Sequence, residues 1–149
     1  MSTATRARVA DIMTREVITL HHDQTLYDSR ELMGVHQIRH VPILDENQQL
    51  VGLVTQKIVL REALKIAETH GSDQLSHRMG EIPLADVLLR DFETVSSDTP
   101  LIEAGRMLLS RRQGTLPVVD NGVLVGIVSH IDYVRMAIDL IEAEHASAD

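Results

Sequence analysis

The stretch LVGLVT (50–55) returns as LVGIVS (124–129), 74 positions further along the chain. It belongs to a longer repeat, because residues 9 to 45 match residues 84 to 120 at a constant offset of 75. A register held over so many residues indicates duplication rather than chance. The chain is therefore a tandem repeat of a unit of about fifty residues.

Each copy predicts the same order of elements: a short helical lead-in, a strand, a helix, two strands and a helix. The lead-ins are Ala10–Met13 and Ala85–Leu88, and they precede strands predicted at Val17–Leu20 and Phe92–Val95. The sequence Asp-Asn-Gly (120–122) predicts a hairpin turn, because Asn and Gly accept positive φ. One copy has too few strands to bury its helices, so we expect the two copies to pack face to face around a pseudo-twofold axis.

The first helix of the second copy has a start signal and an apolar face. Thr99 is predicted as its N-cap and Pro100 as its first residue, where the missing N–H costs nothing. Its apolar positions have helical spacing, and they are Leu101, Ala104, Met107 and Leu108. Residues 68–82 are polar and contain two glycines, which predicts a connector between the copies.

Composition excludes several classes of function. The chain has 149 residues, no cysteine and a net charge of −8. The charge argues against sequence-independent binding to nucleic acid or anionic membranes, which requires clustered cations. The absence of cysteine excludes disulfides and thiolate catalysis. Because no apolar run approaches the ~20 residues of a membrane span and the start lacks a signal-peptide pattern, we expect a cytoplasmic protein.

A serine and an acid, Ser129 and Asp132, stand where the last strand gives way to the last helix. They can form a capping box, in which each side chain satisfies a backbone N–H at the other position. Alternatively, the carboxylate accepts hydrogen bonds from the vicinal hydroxyls of a ribose, beside a helix N-terminus that suits phosphate. The residues by themselves leave both roles open. The first copy keeps the hydroxyl at Thr55 but has Ile58 in place of the acid.

The repeated unit, the strand LPVVD (116–120), the glycine of LVGIVS and the following Ser-x-x-Asp together resemble the cystathionine-β-synthase (CBS) domain. The resemblance covers roughly residues 6–143, as a first CBS domain (6–67), a connector (68–82) and a second CBS domain (83–143). It implies an α/β (α+β) fold in which two β-α-β-β-α CBS units pack as a pseudo-twofold pair.

The resemblance also implies a function: a non-enzymatic regulatory sensor that binds an adenosyl ligand such as AMP, ATP, NAD or S-adenosylmethionine. Such a module has no obligatory cofactor, forms a homodimer through its last helices and biases an unidentified partner protein. The implied second-copy site comprises Thr94, Val95, Ser96, Gly114, Thr115, Leu116, Ser129 and Asp132. The implied first-copy site is degenerate and comprises Thr19, His40, Val41, Thr55, Lys57 and Ile58. The alternative function is a ligand-free scaffold for dimerisation and interaction.

The sequence supports metal binding and catalysis less than it supports the binding of an adenosyl ligand. His36 and His40 lie four residues apart, but Val41 and Pro42 indicate that the helix ends before His40. No metal-ligand spacing, phosphate-binding glycine loop or nucleophile motif occurs, so we predict neither a metal site nor an enzyme.

Other charged residues favour local roles. Asp11 and Asp86 occupy equivalent lead-in positions, whereas Asp45 and Asp120 begin turns, where Asp is favoured for hydrogen bonding to the backbone. Arg111 and Arg112 follow a predicted helix, where they either compensate its dipole or contact a phosphate.

Overall fold

The computed structural model describes residues 7–111 and 113–148. They form two compact units, which do not coincide with the two sequence repeats. The middle unit is Ile18–Phe92, and the terminal unit joins the described parts of Met1–Val17 and Glu93–Asp149. Each unit thus contains the lead-in of the other repeat. The domain boundaries drawn from the repeat stay a prediction.

The middle unit contains a three-stranded sheet in the order β1-β2-β3, with β1 parallel to β2 and β2 antiparallel to β3. The predicted strand Val17–Leu20 is reduced to the two residues of β1. The elements are β1 (Leu20–His21), α1 (Leu26–His36), β2 (His40–Leu44), β3 (Leu50–Thr55), α2 (Gln56–His70), a 3₁₀ turn (Ser72–Gln74), α3 (Leu75–Met79) and a second 3₁₀ turn (Leu84–Asp86).

The terminal unit repeats this plan around an antiparallel hairpin. Its elements are a 3₁₀ turn (Val9–Asp11), α4 (Leu101–Ser110), β4 (Thr115–Asp120), β5 (Val123–Ser129) and α5 (His130–Ala148). Only Val95 remains of the predicted strand Phe92–Val95, as a parallel bridge to Val118. Asn121 and Gly122 have φ values of 51° and 81°, so the predicted hairpin turn is confirmed.

Helix α4 begins one residue later than predicted. Its first residue is Leu101, and Pro100 precedes it without any side-chain capping bond. The prediction of Thr99 as N-cap is wrong, because its hydroxyl accepts the N–H of Ser96 at 3.0 Å in the preceding loop. The apolar face is confirmed, since Leu101, Ala104 and Leu108 are all buried.

The segment predicted as a connector, residues 68–82, is largely helical and belongs to the middle unit. It contains the end of α2 and the whole of α3. Met79 at the end of α3 is fully buried, and Ser76 accepts a hydrogen bond from Arg30 of α1 at 2.9 Å. The segment therefore contributes to the core of this unit.

Both cores are aliphatic, and each is completed by the lead-in of the other repeat, which in the structure comprises residues 9–14 or 84–89. Leu84 and Leu88 lie in the core of the middle unit, and Val9 and Met13 lie in that of the terminal unit. Burying side chains of this size contributes about 1.5–3 kcal/mol each. The apolar residues of the lead-ins therefore hold each lead-in in place.

Backbone hydrogen bonds fix each lead-in against the last strand of its unit. Leu89 and Leu53 exchange two N–H···O=C bonds of 2.8 and 3.0 Å. Thr14 and Ile127, the equivalent residues of the terminal unit, exchange bonds of 2.8 and 2.9 Å. The lead-in thus extends the hairpin by one antiparallel bridge on each sheet.

The repeated glycine of LVGLVT and LVGIVS lies directly beneath the lead-in. A Cβ on Gly52 would clash with the Leu88 side chain and lie 2.8 Å from the Leu89 carbonyl oxygen. A Cβ on Gly126 would lie 2.6 Å from Met13 Sδ and 3.0 Å from the Thr14 carbonyl oxygen. A side chain at either position would displace the lead-in.

We predict that Gly52→Ala lowers the free energy of unfolding by about 1–3 kcal/mol through overpacking, and that Gly126→Ala lowers it less. The difference arises because the backbone carbonyl oxygen would lie 2.8 Å from the Cβ at Gly52 but 3.0 Å from it at Gly126, where the other close neighbour is the flexible Met13 side chain. Chemical denaturation measures both changes. Gly34→Ala is the control: its Cβ would have no neighbour within 4 Å in α1, so we expect stabilisation by about 0.5–1 kcal/mol. Equal stability of all three variants would contradict the close approach.

Across residues 7–111 and 113–148, no helix has the length and apolar character needed to cross a membrane.

Candidate functional site

The acid Asp132 is buried at the start of the long helix α5, with 8% of its surface exposed. Its Oδ2 accepts the backbone N–H of Ser129 at 2.8 Å. This half of the predicted capping box is confirmed. The hydroxyl of Ser129 accepts the N–H of Ile131 at 3.3 Å rather than that of Asp132. Asp132 therefore stabilises the junction between β5 and α5.

The second oxygen of the same carboxylate contacts the lead-in. Asp132 Oδ1 accepts a hydrogen bond of 3.4 Å from the hydroxyl of Thr14. Thr14 is held there by its backbone bonds to Ile127. Thr14 was not among the residues predicted for the site, because it lies more than a hundred positions from Asp132 and belongs to the other repeat.

The middle unit has apolar residues at both equivalent positions. Ile58 replaces Asp132 and is 7% exposed, and Leu89 replaces Thr14. Thr55 still caps its helix, because its hydroxyl accepts the N–H of Ile58 at 3.2 Å. At these two positions the copies thus differ jointly, since both residues are polar in the terminal unit and both are apolar in the middle unit. This joint difference is the sequence signal that could have identified Thr14.

A cavity of about 440 Å³ lies beside Asp132 in the terminal unit. One wall is the lead-in from Asp11 to Thr14, and the other is a face of α5. Arg135 places a cation at this cavity, and Asp139 places a second acid there. The α5 residues that line it are Asp132, Arg135, Met136, Asp139 and Leu140. The cavity combines a buried carboxylate, an exposed guanidinium and apolar side chains.

The other residues predicted for the second-copy site lie on or next to β4. Val95, Thr115 and Leu116 are buried, and the Thr115 hydroxyl donates to the Val128 carbonyl at 3.1 Å. Thr94 is exposed and Ser96 is half-buried. These residues do not line the cavity beside Asp132, and neither does Gly114, which has a φ of 82°. Their part in a ligand site stays a prediction.

Gln113 organises the segment before β4, and sequence reasoning did not identify it. Its side-chain amide donates to the carbonyl oxygens of Glu93 and Thr115, each at 2.8 Å, and its Oε1 accepts the Glu93 N–H at 2.7 Å. Glu93 also pairs with Arg111 at 3.1 Å. Arg112, for which a phosphate contact was considered, lies outside the described residues.

The predicted first-copy residues lie in the middle unit, on β2, β3 and α2 and just before β1. His40 and Val41 are on β2, Thr19 is just before β1, and Lys57 follows Thr55 on α2. A hollow of about 560 Å³ runs beside Lys57, but its lining residues all come from α2. A hollow with one helix as its wall does not enclose a ligand.

Local interactions account for other ionisable groups. Asp45 accepts the N–H groups of Asn47 and Gln49 at 2.8 and 2.9 Å, as a turn-forming role predicts. The hydroxyl and N–H of Ser97 both donate to Asp120 and lower the pKa of its carboxyl. Burial raises the pKa of the Tyr133 phenol, and the charge of the adjacent Asp132 adds to this effect.

Among the residues the structure describes, no three His, Asp or Glu side chains lie close enough together to hold a metal ion. His36 ends α1 and His40 begins β2, so the two histidines do not share a helix.

The fold and the paired strand-to-helix junctions define a class of tandem α/β repeat modules, and comparison with known proteins identifies the family. The family model "CBS domain" matches residues 9–65 and 84–139. The chain therefore belongs to the CBS domain family and contains a pair of CBS domains.

Solved structures agree with this assignment. CBSX2 of Arabidopsis thaliana, a CBS-pair protein, is 28% identical, with a TM-score of 0.79 over 93% of this chain and 99% of that chain. A Vibrio cholerae protein assigned to acetoin utilization (AcuB) is 36% identical, with a TM-score of 0.78 over 94% of this chain and 96% of that chain. CBSX2 in complex with AMP is 28% identical, with a TM-score of 0.72 over 89% of this chain and 97% of that chain.

The family also occurs within much larger proteins. The chain is 26% identical over 130 residues to the A-adding tRNA nucleotidyltransferase of Aquifex aeolicus, but it spans only 14% of that protein's length. It is 28% identical over 134 residues to the homoserine O-acetyltransferase of Methanococcoides burtonii and spans 24% of it.

We predict that Asp132→Ala lowers the free energy of unfolding by about 1–2 kcal/mol, because the Ser129 N–H loses its buried acceptor. Urea denaturation measures the change. Asp139→Ala is the matched control, since Asp139 lines the same cavity from an exposed position and should change stability by less than about 0.5 kcal/mol. Equal effects of the two variants would show that the cap contributes little.

Proposed function

We propose that this protein is a non-enzymatic regulatory sensor that binds an adenosyl ligand in the terminal unit, with Asp132 as the ribose acceptor. The observation that carries the proposal is the buried Asp132 carboxylate beside a cavity of about 440 Å³, at the start of α5. The ligand classes are AMP, ATP, NAD and S-adenosylmethionine, each of which contains an adenosine with a ribose.

The carboxylate has the capacity to cap the helix and hold a ribose at the same time. An ionised carboxylate offers about four lone-pair positions, of which the Ser129 N–H and the Thr14 hydroxyl use two. Hydrogen bonds from ribose hydroxyls to a partly buried carboxylate are of the stronger, charge-assisted kind. Capping and ligand binding, which the sequence left as alternatives, are therefore compatible.

A phosphate at the cavity would lie near one cation, Arg135, and near the carboxylates of Asp11, Asp132 and Asp139, which also line it. The N-terminus of α5 presents N–H groups that favour an anion, and Arg135 supplies a cation on the cavity wall. CBSX2, 28% identical over most of both chains, binds AMP. This relative supports an adenine nucleotide as the ligand class.

The middle unit does not offer the same chemistry. Ile58 occupies the acid position and cannot accept a hydrogen bond from a ribose. We therefore assign one adenosyl site to each chain, in the terminal unit. The absence of an enzymatic activity, the bias exerted on a partner protein and residence in the cytoplasm are parts of the same proposal.

A thermal-shift titration with AMP, ATP, NAD and S-adenosylmethionine tests the proposal. A ligand at about 100 times its dissociation constant stabilises the fold by roughly 2.7 kcal/mol, which raises the midpoint of unfolding. We expect a shift with at least one ligand, and we expect Asp132→Ala to abolish it. Asp139→Ala controls for a general effect of removing charge from the cavity. No shift with any of the four ligands would contradict the proposal.

A second function, a scaffold that dimerises through α5, is favoured by an exposed apolar stripe. Ile131, Val134, Ile138 and Ile141 are each about half exposed or more, at 61%, 57%, 49% and 54%. They are spaced by three, four and three residues, which is the spacing of the residues that form the seam of a two-helix coiled coil. We propose a second copy of this chain as the partner of this stripe, which is compatible with ligand binding.

Substituting Ile138→Glu in the stripe should shift the protein from dimer to monomer, because a charge would have to be buried in the seam. Light scattering after gel filtration measures the mass in solution. Leu109→Glu is the matched control, since Leu109 is 84% exposed on α4 and outside the stripe. A wild-type protein that is monomeric at high concentration would exclude the homodimer.

A further inference from the structure

The hydrogen bond between the Thr14 hydroxyl and Asp132 Oδ1 connects the proposed ribose acceptor to the lead-in. At 3.4 Å it is longer than the usual distance of about 2.7–2.8 Å between two oxygens. Thr14 is exposed, so its hydroxyl can bond to water when the contact breaks. The bond is therefore weak and readily exchanged.

Thr14 is the residue of the lead-in that is hydrogen-bonded to β5 through its backbone. Met13 immediately before it is buried, whereas Arg15 and Glu16 after it are exposed. Residue 18 begins the middle unit. The contact with Asp132 thus lies at the last residue bonded to β5 before the chain leaves the terminal unit, and the next residue, Arg15, donates from its guanidinium to the Ala10 carbonyl at 3.1 Å.

We infer that a ribose hydroxyl replaces the Thr14 hydroxyl on Asp132, so that ligand binding loosens this end of the lead-in. The inference rests on the proposed function, and it gives Thr14 the role of an internal competitor for the ligand. The signal passes through a segment that is covalently continuous with the middle unit.

The geometry favours replacement over coexistence. The Oδ2 atom is fixed by the cap to Ser129, and only 8% of Asp132 is exposed. The cavity is lined by both Asp132 and Thr14, so a ligand that enters it meets the carboxylate where the Thr14 hydroxyl is bound. Oδ1 has no backbone partner among the contacts described, so a ribose hydroxyl can replace the Thr14 hydroxyl there without breaking the cap.

The other copy lacks this arrangement and supplies an internal control. Leu89 has the same two backbone bonds, to Leu53, as Thr14 has to Ile127. The Leu89 side chain has no hydroxyl, and the residue equivalent to Asp132 is Ile58. The competition is therefore confined to the terminal unit, where the acid and the hydroxyl occur together.

Calorimetric titration of AMP into four proteins tests the inference: wild type, Thr14→Val, Thr14→Ser and Leu89→Val. Thr14→Val removes the hydroxyl but keeps the branched shape, and it should bind AMP about two- to threefold more tightly, the lower end of the worth of a hydrogen bond because this one is weak. Thr14→Ser keeps the hydroxyl and should bind like the wild type. Leu89→Val should leave the affinity unchanged.

Two further measurements identify the exchanged atom. With 2′-deoxy-AMP or 3′-deoxy-AMP, the gain from Thr14→Val should shrink for the analogue that lacks the competing hydroxyl. In the wild type, AMP should speed hydrogen exchange at the amides of Thr14 and Ile127. These two amides bond to each other's carbonyl groups, so loosening of the lead-in would expose them to solvent more often.

The outcomes separate this inference from the proposed function. Weaker AMP binding by Thr14→Val would show that the hydroxyl contacts the ligand itself, and unchanged binding would show no competition; either result overturns the inference. If wild type binds AMP and Asp132→Asn does not, the proposed function stands whatever Thr14→Val does. If the wild type binds no AMP, the inference is overturned. The thermal-shift titration with ATP, NAD and S-adenosylmethionine then tests whether the proposed function still stands.

Discussion

The close backbone contact between each lead-in and the last strand of its sheet is the constraint on which the structure depends. Two N–H···O=C bonds form it in each unit, and a glycine beneath it leaves the space for a second chain. Through this contact each compact unit is completed by a segment of the other repeat. Neither repeat, taken as a continuous stretch of sequence, contains all the residues of its own core.

The same contact places the functional chemistry. Because the lead-in runs past the start of α5, Thr14 reaches Asp132 and the two line one cavity. Asp132 then has two tasks, to cap the helix and to accept hydrogen bonds in the cavity. A group shared between helix stability and ligand binding allows occupancy of the cavity to alter the packing of its neighbours. This is the physical basis on which we propose a sensor rather than a passive binding module.

At the start of the last helix of each unit, the two copies differ at both positions of the Thr14–Asp132 pair rather than at one. The terminal unit has Thr14 and Asp132, and the middle unit has Leu89 and Ile58 at the equivalent places. A carboxylate facing leucine would keep the Ser129 N–H but lose the Thr14 hydroxyl as a donor, and an isoleucine facing threonine would leave that hydroxyl to bond to water. Each copy is therefore uniform at these two positions, and only the polar pair of the terminal unit can hydrogen-bond.

The repeat, the aliphatic cores, the hairpin at Asn121 and Gly122 and the cap between Ser129 and Asp132 were predictable from the sequence, because each depends on residues close together in the chain or on periodicity. The strand boundaries, the rejected cap at Thr99 and the helical segment 68–82 were not, because tertiary contacts overrode local preference there. The exchange of lead-ins and the meeting of Thr14 with Asp132 were decided by tertiary structure alone. Contacts between residues more than a hundred positions apart leave no local pattern, since they arise from the packing of a whole segment rather than from the propensity of its residues.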